Sequence, residues 1–224
     1  MILSVGDVVK FSECPTKLWY RITGLRVHET PTTLLGKAAH KLRARAAILH
    51  SREPITTETL MEEAKKIATE YDIPPRKLYT IAHKIAKILQ NHRPKNVMAE
   101  VYLEAQPIGL RGVVDLIEDH TIVEIKLRTK ERPQDRLQLA LYAILLEYNE
   151  IPHSPTGILE LLALPQRIPI PITRQLKNHA LQKLHQAHHA INTLPEEPPP
   201  NTKHCHECEY KPICTLKKSY KHKK

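Results

Sequence analysis

From Thr33 to His50, Thr57 to Tyr71 and Pro75 to His92, apolar residues recur three and four positions apart among Ala, Leu, Lys and Glu. That spacing lays one apolar stripe along a helix, so each stretch is predicted as a scaffold helix. Upstream, Ser4 followed by Asp7 reads as a capping box opening a short helix. Cys14-Pro15 interrupts it, and Pro15 suits the first position of a second helix running to about Ile22. At Asn96 the pattern changes. Val97 to Ala105, Ile108 to Leu116 and Thr121 to Leu127 read as three strands, with turns at Gly109 and at Asp119-His120. A helix from Pro133 to Tyr148 follows, then strands from Gly157 to Leu164 and Arg167 to Ile172, then a helix from Thr173 to Leu194. Pro195 to His204, with four prolines and no apolar face, reads as an extended linker. The order predicts an α/β fold with a central mixed sheet flanked by helices. Its divisions are an N-terminal segment 1–32, a helical region 33–95, a core 96–194, the linker 195–204, and 205–224, which carries three cysteines and a basic tail.

Composition bounds this picture. The chain of 224 residues suffices for one sizeable domain and a small appendage, and 41% hydrophobic with 26% charged residues is ordinary for a globular protein. The apolar stretch Leu139 to Leu146 is too short to span a bilayer, and Glu147 ends it. Met1 to Asp7 lacks a basic region followed by an apolar one, so a cytoplasmic location and no membrane partner are expected. A net charge of +10 favours polyanionic partners through counterion release. The run from Lys217 to Lys224 reads either as a frayed tail or as an arm contacting phosphates.

Chemistry concentrates in Gly112-Val113-Val114-Asp115 and, after eight residues, Glu124-Ile125-Lys126. Glu124 and Lys126 lie two apart on a strand and share a face, while Ile125 points to the other side. Asp115, at the end of the preceding strand, comes near Glu124. Two carboxylates at close range repel one another unless a cation intervenes, and hard oxygen donors suit Mg2+ or Mn2+. Such an ion polarises a phosphodiester and lowers the pKa of bound water, and Lys126 adds a positive charge beside it. The same pattern also occurs on exposed hairpins as surface ion pairs of little energetic worth. Upstream, Gly36-x-x-x-His40 puts His40 one helical turn beyond Gly36, where its imidazole can join a metal. Downstream, Gln138 and Tyr142 share a helical face suited to orienting a lysine or a phosphate. Trp19, Tyr20 and Tyr102 are candidate platforms for base stacking, with core packing the alternative for Trp19.

Three of the four cysteines, Cys205, Cys208 and Cys214, cluster near the end, and Cys14 stands alone near the start. A cluster of this spacing points to a metal centre rather than to disulfides. Cys14 as fourth ligand would staple the chain ends together, closing a long loop. Ligand type alone admits zinc, with His204 and His206 as mixed ligands, or iron–sulfur.

Taken together, Gly36-x-x-x-His40, Gly112-x-x-Asp115, Glu124-x-Lys126 and Gln138-x-x-x-Tyr142 stand in the order used by RecB-like nucleases of the PD-(D/E)XK superfamily. With Cys14-Pro15 and the late cysteines, the chain resembles the Cas four nucleases of CRISPR adaptation from Cys14 to Cys214. The resemblance implies a RecB-like restriction-endonuclease-type core and an iron–sulfur module joining the terminal segments. It implies that His40, Asp115 and Glu124 bind a catalytic Mn2+ or Mg2+, with the Ile125 carbonyl as an extra ligand. Lys126 would assist the attacking water, Gln138 and Tyr142 would support Lys126 or the DNA backbone, and Glu100 would stand behind them as a further acid. Cys14, Cys205, Cys208 and Cys214 would hold a 4Fe–4S or a 2Fe–2S cluster of structural role. The implied activity is exonucleolytic hydrolysis of single-stranded DNA or overhangs, trimming fragments for a CRISPR array alongside the CRISPR integrase. A stand-alone repair exonuclease of the same superfamily, or a non-catalytic DNA-binding module with structural zinc, are the competing readings.

Overall fold

A computed structural model of the chain describes residues 1–25, 29–193, 205 and 208–214. The Pro-rich stretch 195–204, His204, His206 and the basic tail lie outside them. Local signals set the helix starts. Asp7 N–H donates to Ser4 Oγ at 3.1 Å and Ser4 N–H donates to the Asp7 carboxylate at 2.8 Å, so the expected capping box opens α1 (Val5–Glu13). Proline opens α2 (Pro15–Ile22), α3 (Pro31–Arg52), α5 (Pro75–Gln90) and α6 (Pro133–Tyr148), where its missing N–H costs nothing. Thr56 caps α4 (Thr57–Glu70), and α7 spans Arg174–Thr193. From α2 onward, every helix end lies within two residues of the periodicity-based expectation.

The sheet comprises β1 (Leu3–Ser4), β2 (Val97–Ala105), β3 (Leu110–Glu118), β4 (Thr121–Lys126), β5 (Thr156–Leu161) and β6 (Gln166–Pro171). It is mixed, in the order β1-β3-β4-β5-β6 with β2 on β3; β1–β3 and β4–β5 pair parallel. β1 is two residues long, too short to show a period, and the sequence reading missed it. Asp119 (φ 46°) and His120 (φ 66°) make the expected tight turn between β3 and β4. β3 starts and ends two residues later than expected, because Gln106–Ile108 forms a 3-10 turn closed by Gly109 at φ 63°. Asp115 therefore sits inside the strand rather than at its end.

Helices cover both faces. One core joins α1, α2, α6 and α7 to Val114, Ile122 and Leu159; the other joins α3, α4 and α5 to Leu116, Val123 and Ile125. The β2–β3 ribbon turns over between them. Val97 and Ala99 pack on the α3–α5 side, whereas Val101, Leu103 and Ala105, of the same parity, pack on the α6 side. The turnover falls at Glu100, whose φ is 52°. Asp115 stands opposite it, between the pairs Ala99–Leu116 and Val101–Val114.

Candidate active site

The far edge of β3 is shared by two neighbours: β1 takes Leu110 and Arg111, and β4 takes only Leu116 to Glu118. Between them a gap opens beside Asp115. The Ile125 N–H, having lost its strand partner, donates to Asp115 Oδ2 at 2.8 Å across that gap. Asp115 Oδ1 meets His40 Nδ1 of α3 at 3.3 Å. The ribbon turnover and the divergence of β3 from β4 thus aim this carboxylate along the sheet edge, between the two helical layers. The Ile125 side chain is buried in the α3–α5 core, leaving only its backbone at the site.

Glu124 and Lys126 face the α6 side together, as their spacing requires, with Glu124 Oε1 at 2.5 Å from Lys126 Nζ. Lys126 Nζ also donates to Gln138 Oε1 at 3.0 Å, and Gln138 Nε2 donates to the Tyr142 hydroxyl at 3.0 Å. The chain Glu124–Lys126–Gln138–Tyr142 is therefore continuous. Gly112 lets α6 sit this close, because a Cβ there would lie 3.0 Å from the Tyr142 ring and 2.8 Å from Val5. Gly36, on the α3 turn before His40, has open space beside it. Glu100 is solvent-exposed on β2, with Lys41 as an electrostatic neighbour.

The charges do not balance within this cluster. Burial, then repulsion from Asp115, pushes the Glu124 carboxyl up to about 7 despite Lys126. Glu124 Oε2 is buried with no hydrogen-bond partner among the described residues. For Asp115 burial works the same way, yet His40, the Ile125 N–H and Lys126 outweigh it and hold its carboxyl below the ordinary value. Burial likewise disfavours charge on His40 and Lys126, but the facing carboxylates overcome it and raise both. Tyr142 is pushed well up by burial and by both carboxylates, so its hydroxyl keeps its proton. Among the described residues no group of three or more His, Cys, Asp or Glu forms a ready-made metal cage. Glu124 is turned onto Lys126 instead. The donor set nevertheless fits a hard divalent ion: two carboxylates from adjacent strands, an imidazole, and one buried oxygen with no hydrogen-bond partner among the described residues.

The cysteines are arranged separately. Cys14 is buried at the α1–α2 junction, and Cys205, Cys208 and Cys214 are half-buried. Residues 208–214 dock on α1 and α2 through Glu209, at 3.1 Å from Lys17 and 3.7 Å from Lys10, and through Tyr210, whose ring lies 5.3 Å from that of Tyr20. Cys14 acts electrostatically on the Cys208 thiol, which burial pushes up. Tyr20 is used in this packing and Trp19 stands edge-on to it at 5.5 Å, whereas Tyr102 remains 57% exposed.

Sequence reasoning missed a second ionic cluster. Arg43 of α3, fully buried, donates to Glu160 Oε1 at 2.5 Å and to Glu118 Oε1 at 2.8 Å. Arg167 approaches Glu118 at 2.8 Å and Glu160 at 3.2 Å, and His92 approaches Glu118 at 2.8 Å. Two signals could have found it. Arg43 lies on the apolar stripe of its helix, among Ala39, Leu42 and Ala46, and Glu160 interrupts the apolar run Ile158 to Leu164. A charge at a buried position requires a partner.

The sequence profile of the PD-(D/E)XK nuclease superfamily matches residues 2–215. No curated protein matches the chain.

Proposed function

The chain belongs to the PD-(D/E)XK nuclease superfamily, and on that premise we propose that it is a metal-dependent DNA exonuclease acting at the Asp115–Glu124–Lys126 site. One observation carries the reading: a buried Glu124 oxygen with no hydrogen-bond partner among the described residues, on a carboxyl raised to about 7 by burial and a second carboxylate. A divalent ion would relieve that repulsion, and when bound it polarises a phosphodiester and makes water a better nucleophile. Asp115, Glu124 and His40 would hold it, with the Ile125 carbonyl, which faces the same gap as the Ile125 N–H, as a further donor. Lys126, held by Gln138 and backed by Tyr142, would supply its ammonium to the attacking water or the phosphate oxygens. Incubating end-labelled single- and double-stranded DNA with Mn2+ or Mg2+ tests the reading. Shortening of the labelled strand by the wild type, absent with Glu124→Ala, is expected. Metal-independent cleavage, or equal cleavage by the variant, overturns it.

Single-stranded DNA or overhangs are the proposed substrate, and trimming of fragments for CRISPR spacer acquisition with the integrase is the proposed role, on the motif order and the cysteine arrangement together. An integrase gene beside this one separates that role from stand-alone repair. The proposed 4Fe–4S or 2Fe–2S cluster on Cys14, Cys205, Cys208 and Cys214 is supported by the docking of 208–214 against the Cys14 helices. The thiols are not gathered into a metal-holding group, so iron and sulfide analysis of anaerobically purified protein decides it. Zinc without iron would replace it with a zinc site. No helix among the described residues is long and apolar enough to cross a membrane; the proposed location is the cytoplasm.

A further inference from the structure

Arg43 lies one helical turn beyond His40, so both side chains leave α3 on neighbouring faces toward the sheet. His40 reaches Asp115 on β3, while Arg43 reaches two glutamates that bracket β4. Glu118 is the last residue of β3, three beyond Asp115, and Glu160 on β5 is the register partner of Ile125. Ile125 is the residue whose N–H fixes the Asp115 carboxylate. One buried guanidinium thus joins α3 to the strands on both sides of the one carrying Glu124 and Lys126. Arg167 on β6 closes the arrangement from the opposite side, bonding the second oxygens of both glutamates.

We infer that Arg43 is a positioning residue for the metal site, which sets the height and rotation of α3 so that His40 meets Asp115. Helix α3 needs such a device. Its buried stripe around the site consists mainly of alanines, Ala38, Ala39, Ala46 and Ala47, whose small side chains interlock weakly and tolerate sliding. A forked, two-acceptor clamp has one geometry, and lysine cannot reproduce it. The inference rests on the metal site proposed above.

Mn2+ alone is the probe, its free concentration read by electron paramagnetic resonance during titration of the full chain. Arg43→Lys is expected to keep a cooperative melting transition and to bind Mn2+ about tenfold more weakly. His40→Ala is expected to weaken binding too, and adding Arg43→Lys to it is expected to weaken it no further, because the clamp acts through His40. Unchanged affinity in Arg43→Lys overturns the inference, and so does an equal loss with and without His40, which marks general loosening. If Arg43→Lys does not melt cooperatively, Glu160→Gln replaces it in the same cycle, and failure of both to fold assigns the cluster to folding alone and likewise overturns the inference. A wild type that neither binds Mn2+ nor cleaves DNA removes the proposed function itself. A wild type that does both, indifferent to Arg43, removes only the clamp.

Discussion

Two ionic clusters lie on opposite faces of β4, and they have opposite electrostatics. On the α3–α5 side, Glu118 and Glu160 face Arg43 and Arg167, two negative groups against two positive ones. Burial opposes ionisation of Glu118, but its bonds to His92, Arg43 and Arg167 prevail and hold its carboxyl well below the ordinary range. On the α6 side, Glu124 faces Lys126, with Asp115 and His40 beside them at the sheet edge, and Glu124 is pushed up to about 7. Equal burial therefore produces opposite shifts, and the deciding variable is whether the partners close the charge. A closed cluster locks strands together. One left open by a carboxylate has room for a cation, which is the arrangement hydrolytic chemistry uses.

Breaking the open cluster should have the largest effect on activity and little on folding. Lys126→Ala is expected to lower cleavage of end-labelled DNA on the order of 10³-fold, with a melting temperature near that of the wild type. Breaking the closed cluster should fall first on folding. Arg43→Met takes the buried partner from two glutamates, leaving them Arg167 and His92, and is expected to lose about 3–5 kcal/mol of stability in urea unfolding. A smaller effect sharpens the contrast through pH. The Glu124 carboxyl is raised from 4.5 to about 7 on folding, so between those values the folded chain keeps a proton that the unfolded chain has released. Stability without metal should therefore fall as pH rises through that window. Glu124→Gln is expected to remove this slope and to raise stability at neutral pH, while abolishing cleavage. Glu118 works in the opposite sense: its contribution is present above its unfolded value of 4.5 and is lost as pH falls below it. A wild-type stability that rises between pH 4.5 and 7, with Glu124→Gln indistinguishable from it, would dissolve the contrast. The smallest effect belongs to Tyr142→Phe, which deletes the hydroxyl accepting from Gln138. A loss of about fivefold in single-turnover rate is expected, the worth of one neutral hydrogen bond.

The sequence by itself determined the elements and most of the donor set. Periodicity and caps located α1 to α7, because helix formation is read out over a few residues. Alternation put Glu124 and Lys126 on one face, and the i, i+4 spacing put Gln138 beside Tyr142, again by local geometry. Tertiary structure alone decided three things. It turned the β2–β3 ribbon over at Glu100 and parted β3 from β4, so that Asp115 lies within a strand and still reaches the Ile125 N–H. It brought His40 from 75 residues away to Asp115. It buried Arg43 between Glu118 and Glu160. Partners so distant along the chain meet only when sheet order and helix packing are set, and those depend on the whole core at once, not on any window of residues.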